Sequence, residues 1–461
     1  MLRRSRGVLR SFGHTLSKLI NRASLYRFTD DALLLSSSAA GIIVGLVIVV
    51  YHLVLQLFES GLHVLTPARW EMGTAISWSA LMLPLIAAAG GVLVGVLKQT
   101  VFKDVSHRGL NSVADSLKGG ASSLTWRHAL HAIILSSVSI ATGGGAGREA
   151  PTVVLGSSVA SGMGRLGRMD RGHVKVLGAA GAAAAISGIF NAPLGGILFA
   201  VEAITGELRA RTFLPIVISS VLATTTVRTL LGNTPLIIEP TVSPLGLLDY
   251  PLLAAAGICS AFVAAIHLRL YRKTFERTSD MLSRFSPITK AGIGGFIVGI
   301  PLILFPWLLE TTYEPVNLAV SGSMHTSPLI GLGLAIAVIV LKPITNAVTL
   351  ASGGEGGTFA PALKVGALFG FCFGVLLDLI VPTPIGLYAL VCAGAVLAGT
   401  FRAPLTGGIL LFEVSGNYSL LLPLLFSSVV AVYIIKRLNT PTFNPLDDED
   451  VFGVTERKTD L

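Results

Sequence analysis

The chain has 461 residues, of which 52% are hydrophobic and 13% charged, and its mean hydropathy is +0.75. A charged content roughly half that of soluble domains excludes a soluble globular enzyme and points to a polytopic membrane protein. The net charge of +9 is unevenly placed, with seven basic residues and no acid in residues 1–27.

In chain order, Arg3, Arg4, Arg6, Arg10, Lys18, Arg22 and Arg27 precede the first apolar run. By the positive-inside rule this places the N-terminus in the cytoplasm, and the protein is expected in the cell's inner (plasma) membrane. A nucleic-acid-binding arm is not expected ahead of a membrane span. No apolar stretch directly follows the first arginines, so the segment does not read as a cleavable signal peptide. Apolar runs long enough, or nearly so, to cross a bilayer occupy 33–58, 80–97, 252–270, 292–309, 328–350 and 420–435. Runs at 153–163, 176–190, 193–204, 358–380, 385–400 and 404–413 are short or interrupted by Gly and Pro. Such broken helices are tolerated in a membrane only where protein or a watery cavity surrounds the loose backbone. Cys259, Cys372 and Cys392 lie scattered in apolar segments without metal-ligand spacing and read as packing residues. Neither a metal nor a cofactor is expected. The tail after 440 is acidic (Asp447, Asp448, Glu449, Asp450), expected to be cytoplasmic, and too short for a regulatory domain.

The densest motif is Gly143-Gly144-Gly145-Ala146-Gly147-Arg148-Glu149-Ala150-Pro151. Its glycines end the preceding helix, and Pro151 suits the first turn of the next. Glu149 is therefore expected beside a helix N-terminus, where free N–H groups and the helix dipole favour negative charge. A second anion would compete with its carboxylate for the same donors. Taken alone, the stretch reads equally as an interhelical turn in which Arg148 and Glu149 pair with each other.

The chain then repeats itself. Phe190-Asn191-Ala192-Pro193-Leu194-Gly195-Gly196, with Glu202 behind it, returns 211 positions later as Phe401-Arg402-Ala403-Pro404-Leu405-Thr406-Gly407, with Glu413. Gly147-Arg148-Glu149-Ala150-Pro151 finds its partner in Gly357-Thr358-Phe359-Ala360-Pro361, and Gly156 in Gly366. Repeats joined by broken helices are the signature of transporters with a site at the repeat interface. This predicts a membrane protein built of two repeats. The divisions are 1–30 (basic segment), 31–240 (first repeat), 241–440 (second repeat) and 441–461 (acidic tail). Two helix N-termini converging at mid-membrane would bind an anion through backbone N–H groups, without a full charge that would hold it too tightly.

These residues resemble the CLC family of chloride channels and proton-coupled chloride exchangers, of the bacterial type without C-terminal CBS domains, over about residues 30–445. Gly147-Arg148-Glu149-Ala150-Pro151 is similar to the family's Gly-Lys/Arg-Glu-Gly-Pro motif, which carries the external gating glutamate. Gly357-Thr358-Phe359-Ala360-Pro361 matches its Gly-x-Phe-x-Pro motif, whose amides hold the central anion. The resemblance implies an all-α fold of two inverted-topology repeats of tilted and broken helices, in a homodimer with one anion pathway per subunit. Glu149 would be the gate, and Gly147, Arg148, Ala150, Gly357, Thr358, Phe359 and Ala360 the anion-binding residues.

Three departures matter. The family's Gly-Ser-Gly-Ile-Pro motif falls on His107-Arg108-Gly109-Leu110-Asn111, so Arg108 stands at the anion-coordinating serine. It would either attract anions to the cytoplasmic mouth or be an interfacial positive-inside arginine. The inner tyrosine becomes Phe443, a steric barrier without a hydroxyl. The exchangers' inner proton glutamate falls on Ala203, after Glu202. Protons would then reach Glu149 by Glu355, Glu202 or water. Glu355 reads more readily as a fixed charge capping the next helix. Glu202, matched by Glu413, reads as a structural hydrogen-bonding residue, which leaves water as the default route. Lys364, at an unusual depth, would neutralise Glu355 or Glu202 or snorkel to an interface.

The expected function is transport of chloride or a similar small anion, as a chloride/proton antiporter gated by Glu149. A passive, voltage- or pH-gated channel is the alternative, because Ala203 cannot titrate. A membrane-embedded enzyme using Glu149 and Arg148 on a lipid or phosphate ester has less support. No Gly-Lys-Ser/Thr follows the first motif's glycines, and no Ser/His/Asp arrangement has local support. No catalytic residue is assigned.

Overall fold

A computed structural model of the chain describes residues 31–58, 60, 80–105, 109–118, 124–206, 210–233, 236–238, 240, 246–324 and 327–447. Its first half comprises α1 (Asp31–Phe58), α2 (Leu83–Thr100), α3 (Leu110–Lys118), α4 (Trp126–Ala141), α5 (Glu149–Leu166), α6 (Arg171–Phe190), α7 (Pro193–Phe199) and α8 (Ala210–Leu231). The second comprises α9 (Tyr250–Leu282), α10 (Pro287–Leu302), α11 (Glu314–Ser321), α12 (Pro328–Ala351), α13 (Phe359–Asp378), α14 (Ile385–Phe401), α15 (Pro404–Ser415) and α16 (Leu421–Arg437). The two sets correspond one to one, and the fold is an all-α pair of inverted repeats.

Local chemistry repeats with the sequence. α6 ends on Asn191 (φ 57°) and α14 on Arg402 (φ 48°), each in the left-handed conformation and each followed by Ala-Pro, which starts the next helix. α4 and α12 are closed by Gly143 (φ 109°) and Gly353 (φ 100°), a backbone conformation that glycine adopts without strain. α5 packs on α6, and α13 on α14. At the first contact Gly156 and Gly181 face each other so closely that a Cβ on Gly156 would lie 2.3 Å from the Gly181 carbonyl. Small residues of this kind let membrane helices approach backbone to backbone.

Among the described residues, eight helices are long and apolar enough to span a bilayer. The expected runs at 33–58, 80–97, 252–270, 328–350 and 420–435 all lie in such helices. The expected run at 292–309 does not form one span. α10 stops at Leu302, after Pro301, and Pro306 starts a separate turn of 3-10 helix. Conversely, the runs at 176–190 and 358–380, read as short or interrupted, lie in the spans Arg171–Phe190 and Phe359–Asp378, and the span Arg211–Leu231 is not among the expected runs. Two of these are interior helices. In Arg171–Phe190 and Phe359–Asp378, 72% of the apolar window is buried, against 39% in Ala80–Thr100 and Arg211–Leu231. The small and interrupted segments are thus wrapped in protein, as backbone at membrane depth requires.

The halves are stitched together by reciprocal contacts. Gly145 N donates to Thr349 Oγ1 (2.9 Å), and Glu355 N donates to Ser139 Oγ (3.2 Å). Glu202 accepts from the Leu405 and Thr406 amides (3.1 and 2.7 Å) at the head of α15. Glu413 accepts from the Leu194 and Gly195 amides (3.0 and 2.7 Å) at the head of α7.

Candidate functional site

The two Gly-x-x-x-Pro motifs meet. Gly147 and Gly357 form an antiparallel bridge, the one isolated bridge among the described residues, which puts the starts of α5 and α13 side by side. Asn346 Nδ2 donates to the carbonyls of Gly145 (3.2 Å) and Gly357 (2.9 Å), holding both turns in place.

Glu149 is the first residue of α5 and is 1% exposed. Its side chain does not reach into open space but turns toward the other repeat. Oε2 accepts a hydrogen bond from the Ala360 amide (3.3 Å), and Oε1 accepts one from the Tyr313 hydroxyl (3.1 Å). A Cβ on Gly147 would lie 2.4 Å from Glu149 Oε2, so the carboxylate fills the niche that a missing side chain leaves. The amide it occupies belongs to the first turn of α13, whose N-cap is Thr358. An anionic group therefore rests on donors that a helix N-terminus presents to anions.

Ala150 is buried in the contact, where a Cβ on Gly357 would lie 3.0 Å from the Ala150 amide. Thr358, Phe359 and Ala360 are buried as well. The Arg148 guanidinium lies 5.4 Å above the Tyr313 ring and lines a cavity of about 730 Å³ together with His52, Gln56, Thr312 and Tyr313. A file of aromatic rings starts at Phe359, next to Ala360. Phe359 packs on Phe190 (5.4 Å) and Phe401 (5.3 Å), Phe401 on Phe443 (5.8 Å), and Phe443 on Tyr271 (4.9 Å). Phe443 is anchored through its amide to the Thr400 carbonyl (2.8 Å) and is buried. Arg108 lies outside the described residues.

The remaining expected proton carriers are otherwise engaged. Both Glu202 oxygens cap α15, and Oε2 takes the Thr406 hydroxyl besides (2.8 Å). Glu355 forms an ion pair with Lys98 (2.5 Å), at the end of α2 rather than at the head of α13. Ala203 is fully buried. Lys364 pairs with neither Glu202 nor Glu355. Its ammonium lies 3.1 Å from Glu310 and donates to the Leu309 carbonyl, because α13 carries it away from the end where Glu355 sits.

Sequence reasoning missed Tyr313, Glu310 and Lys342. Tyr313 carried no signal, since it enters the site through a turn rather than through either motif. Glu310 and Lys342 did carry one, as charges at or within apolar runs, where a membrane interior admits charge only for function or pairing.

Comparison with known proteins follows the same lines. The family model described as "voltage gated chloride channel" matches residues 90–436. A putative chloride channel protein ClcB-like from Ralstonia nicotianae is 31% identical, the match covering 79% of this chain and 84% of that protein. The H(+)/Cl(-) exchange transporter ClcA of Vibrio parahaemolyticus is 27% identical over 100% of this chain and 99% of its own length. Among solved structures, a slow cyanobacterial Cl-/H+ antiporter superposes with a TM-score of 0.77 at 24% identity. That match covers 89% of this chain and 95% of the other, a likeness in fold.

Proposed function

The chain belongs to the voltage-gated chloride channel family, and on that premise we propose that it exchanges chloride, or a similar small anion, for protons across the membrane, with Glu149 as the gate. The observation that carries the reading is the Glu149 carboxylate seated on the Ala360 amide at the head of α13. Ionised, it occupies the place of an anion. Protonated, it loses the charge that the helix end favours, leaves, and opens the site to the anion from the outer cavity.

Gly147, Arg148, Ala150 and Gly357 to Ala360 then line the anion's route at mid-membrane. Phe443, deep in the ring file, is its inner barrier. Arg108 is assigned to the inner mouth on sequence grounds alone. The working form is a homodimer in the inner membrane with both termini cytoplasmic, and the reading is one of transport, not of catalysis.

Exchange rather than passive conduction is favoured by the relative that matches along the full chain, an H(+)/Cl(-) exchange transporter by name. With Glu202 consumed as a helix cap and Glu355 held by Lys98, water remains the carrier that brings protons from the inside to Glu149. The test is the reversal potential of purified protein in liposomes under a fixed chloride gradient and a varied proton gradient. Exchange makes the potential move with the proton gradient. A potential that follows chloride alone means a channel.

A further inference from the structure

Beside the motif helices, three more charges are buried in one cluster. Glu310 Oε1 takes the Lys342 ammonium and Oε2 takes that of Lys364 at 3.1 Å. The side chains of Lys342 and Glu310 are 0% exposed and that of Lys364 is 1%. Each ammonium is also backed by a carbonyl, Lys342 by Leu308 and Lys364 by Leu309. Two ammoniums against one carboxylate leave a formal charge of +1 without access to water. Such a charge is costly unless an anion lies near enough to balance it.

The cluster is tied to both sides of the Glu149 seat. Lys364 follows Ala360 by four residues, one turn along the same face of α13, and the Ala360 amide holds Glu149 Oε2. Glu310 precedes Tyr313 by three residues in the loop before α11, and the Tyr313 hydroxyl holds Oε1. Glu310 acts on Glu149 as a like charge and Lys342 as an opposite one. The other ionisable groups facing Glu149 are Arg148 at the start of α5, Tyr313 itself, and Tyr51 on α1, with His52 beside Arg148.

We propose that the Lys342–Glu310–Lys364 triad is the fixed counter-charge of the Glu149 gate, and that its net positive charge sets the external pH at which anion flux opens. The inference rests on the gate assignment made above. Because carbonyls and Glu310 hold the lysines, they supply a field and not a ligand, which leaves the anion free to depart. A more positive triad keeps the Glu149 carboxylate ionised and seated, so more acid is needed to open the path. A less positive triad does the reverse.

The test is chloride flux against external pH, with the purified full chain in liposomes and folding checked by size-exclusion chromatography. Lys364→Met takes the triad from +1 to 0 and raises the half-activation pH by about one unit; Glu310→Gln takes it to +2 and lowers the half-activation pH by about as much. The double variant restores +1 and returns the profile to that of the native protein. Shifts in the same direction, or no shift in either variant, overturn the proposal. If Glu310→Gln alone does not fold, Lys364→Met against the double variant decides, and equal profiles for those two overturn it. Glu149→Gln is the control on the premise. If pH dependence survives in that variant, the gate assignment fails. If it vanishes there while the triad variants leave the half-activation pH unmoved, only the triad proposal fails.

Discussion

Gly147 and Gly357 exchange backbone hydrogen bonds in both directions, Gly147 N to Gly357 O at 2.8 Å and Gly357 N to Gly147 O at 2.6 Å. The pair stands 210 residues apart in sequence and occupies the same place in each repeat. It brings two helix starts together and leaves, between them, a niche with no side chain. Glu149 fills that niche from one side and Ala360 supplies its donor from the other.

Gly147→Ala puts a methyl 2.4 Å from Glu149 Oε2 and 3.1 Å from the Ala360 side chain. The end of the Glu149 side chain yields more readily than backbone does, so the carboxylate is expected to be displaced while the fold survives. If Glu149 is the gate, anion flux should then persist at neutral and alkaline external pH, where the seated carboxylate is expected to close the native protein. A variant that folds and keeps the native pH profile contradicts this account of the niche.

Tyr313→Phe removes the donor to Glu149 Oε1 and little else. A hydrogen bond to a charged acceptor is worth about 1.5–3 kcal/mol, which corresponds to roughly one to two pH units. The sign follows from which form the bond favours. Tyr313 donates to the ionised carboxylate, so its loss makes protonation easier and raises the external pH of half-maximal flux. Flux measured across external pH checks this, and a downward shift contradicts it.

Glu202 and Glu413 are matched helix caps, each taking two amides of the other repeat. Charge-assisted caps of this kind contribute on the order of 1–2 kcal/mol. Glu202→Gln and Glu413→Gln are therefore both expected to lower the thermal midpoint in detergent. Glu202→Gln should also leave the number of protons exchanged per anion unchanged. A loss of proton coupling in Glu202→Gln alone, with its stability intact, means that Glu202 carries protons after all.

Much of this molecule is legible in one dimension. The two repeats, their broken helices and the pairing of Gly147 with Gly357 follow from motif spacing, because glycine and proline impose the same turns wherever they recur. Membrane spans were less legible where helices are interior. Arg171–Phe190 and Phe359–Asp378 are rich in small residues or interrupted by motif residues, and what covers them is protein, not lipid. Lys364 was misread because depth along a helix was legible but the partner across it was not. Glu310 reaches it only through the turn after α10, where Pro301 and Pro306 break the apolar run.

The sequence by itself determined the two-repeat architecture, the place of Glu149 at a helix start and the absence of a titratable group at Ala203, since each depends on residue type and spacing alone. Only the tertiary structure decided where charges and donors end up. Tyr313 and Ala360 hold the Glu149 carboxylate, Lys98 holds Glu355, and Lys342 with Lys364 holds Glu310. Those partners come from chain segments far apart in sequence. In an apolar interior each polar group must find its partner wherever packing brings one within reach.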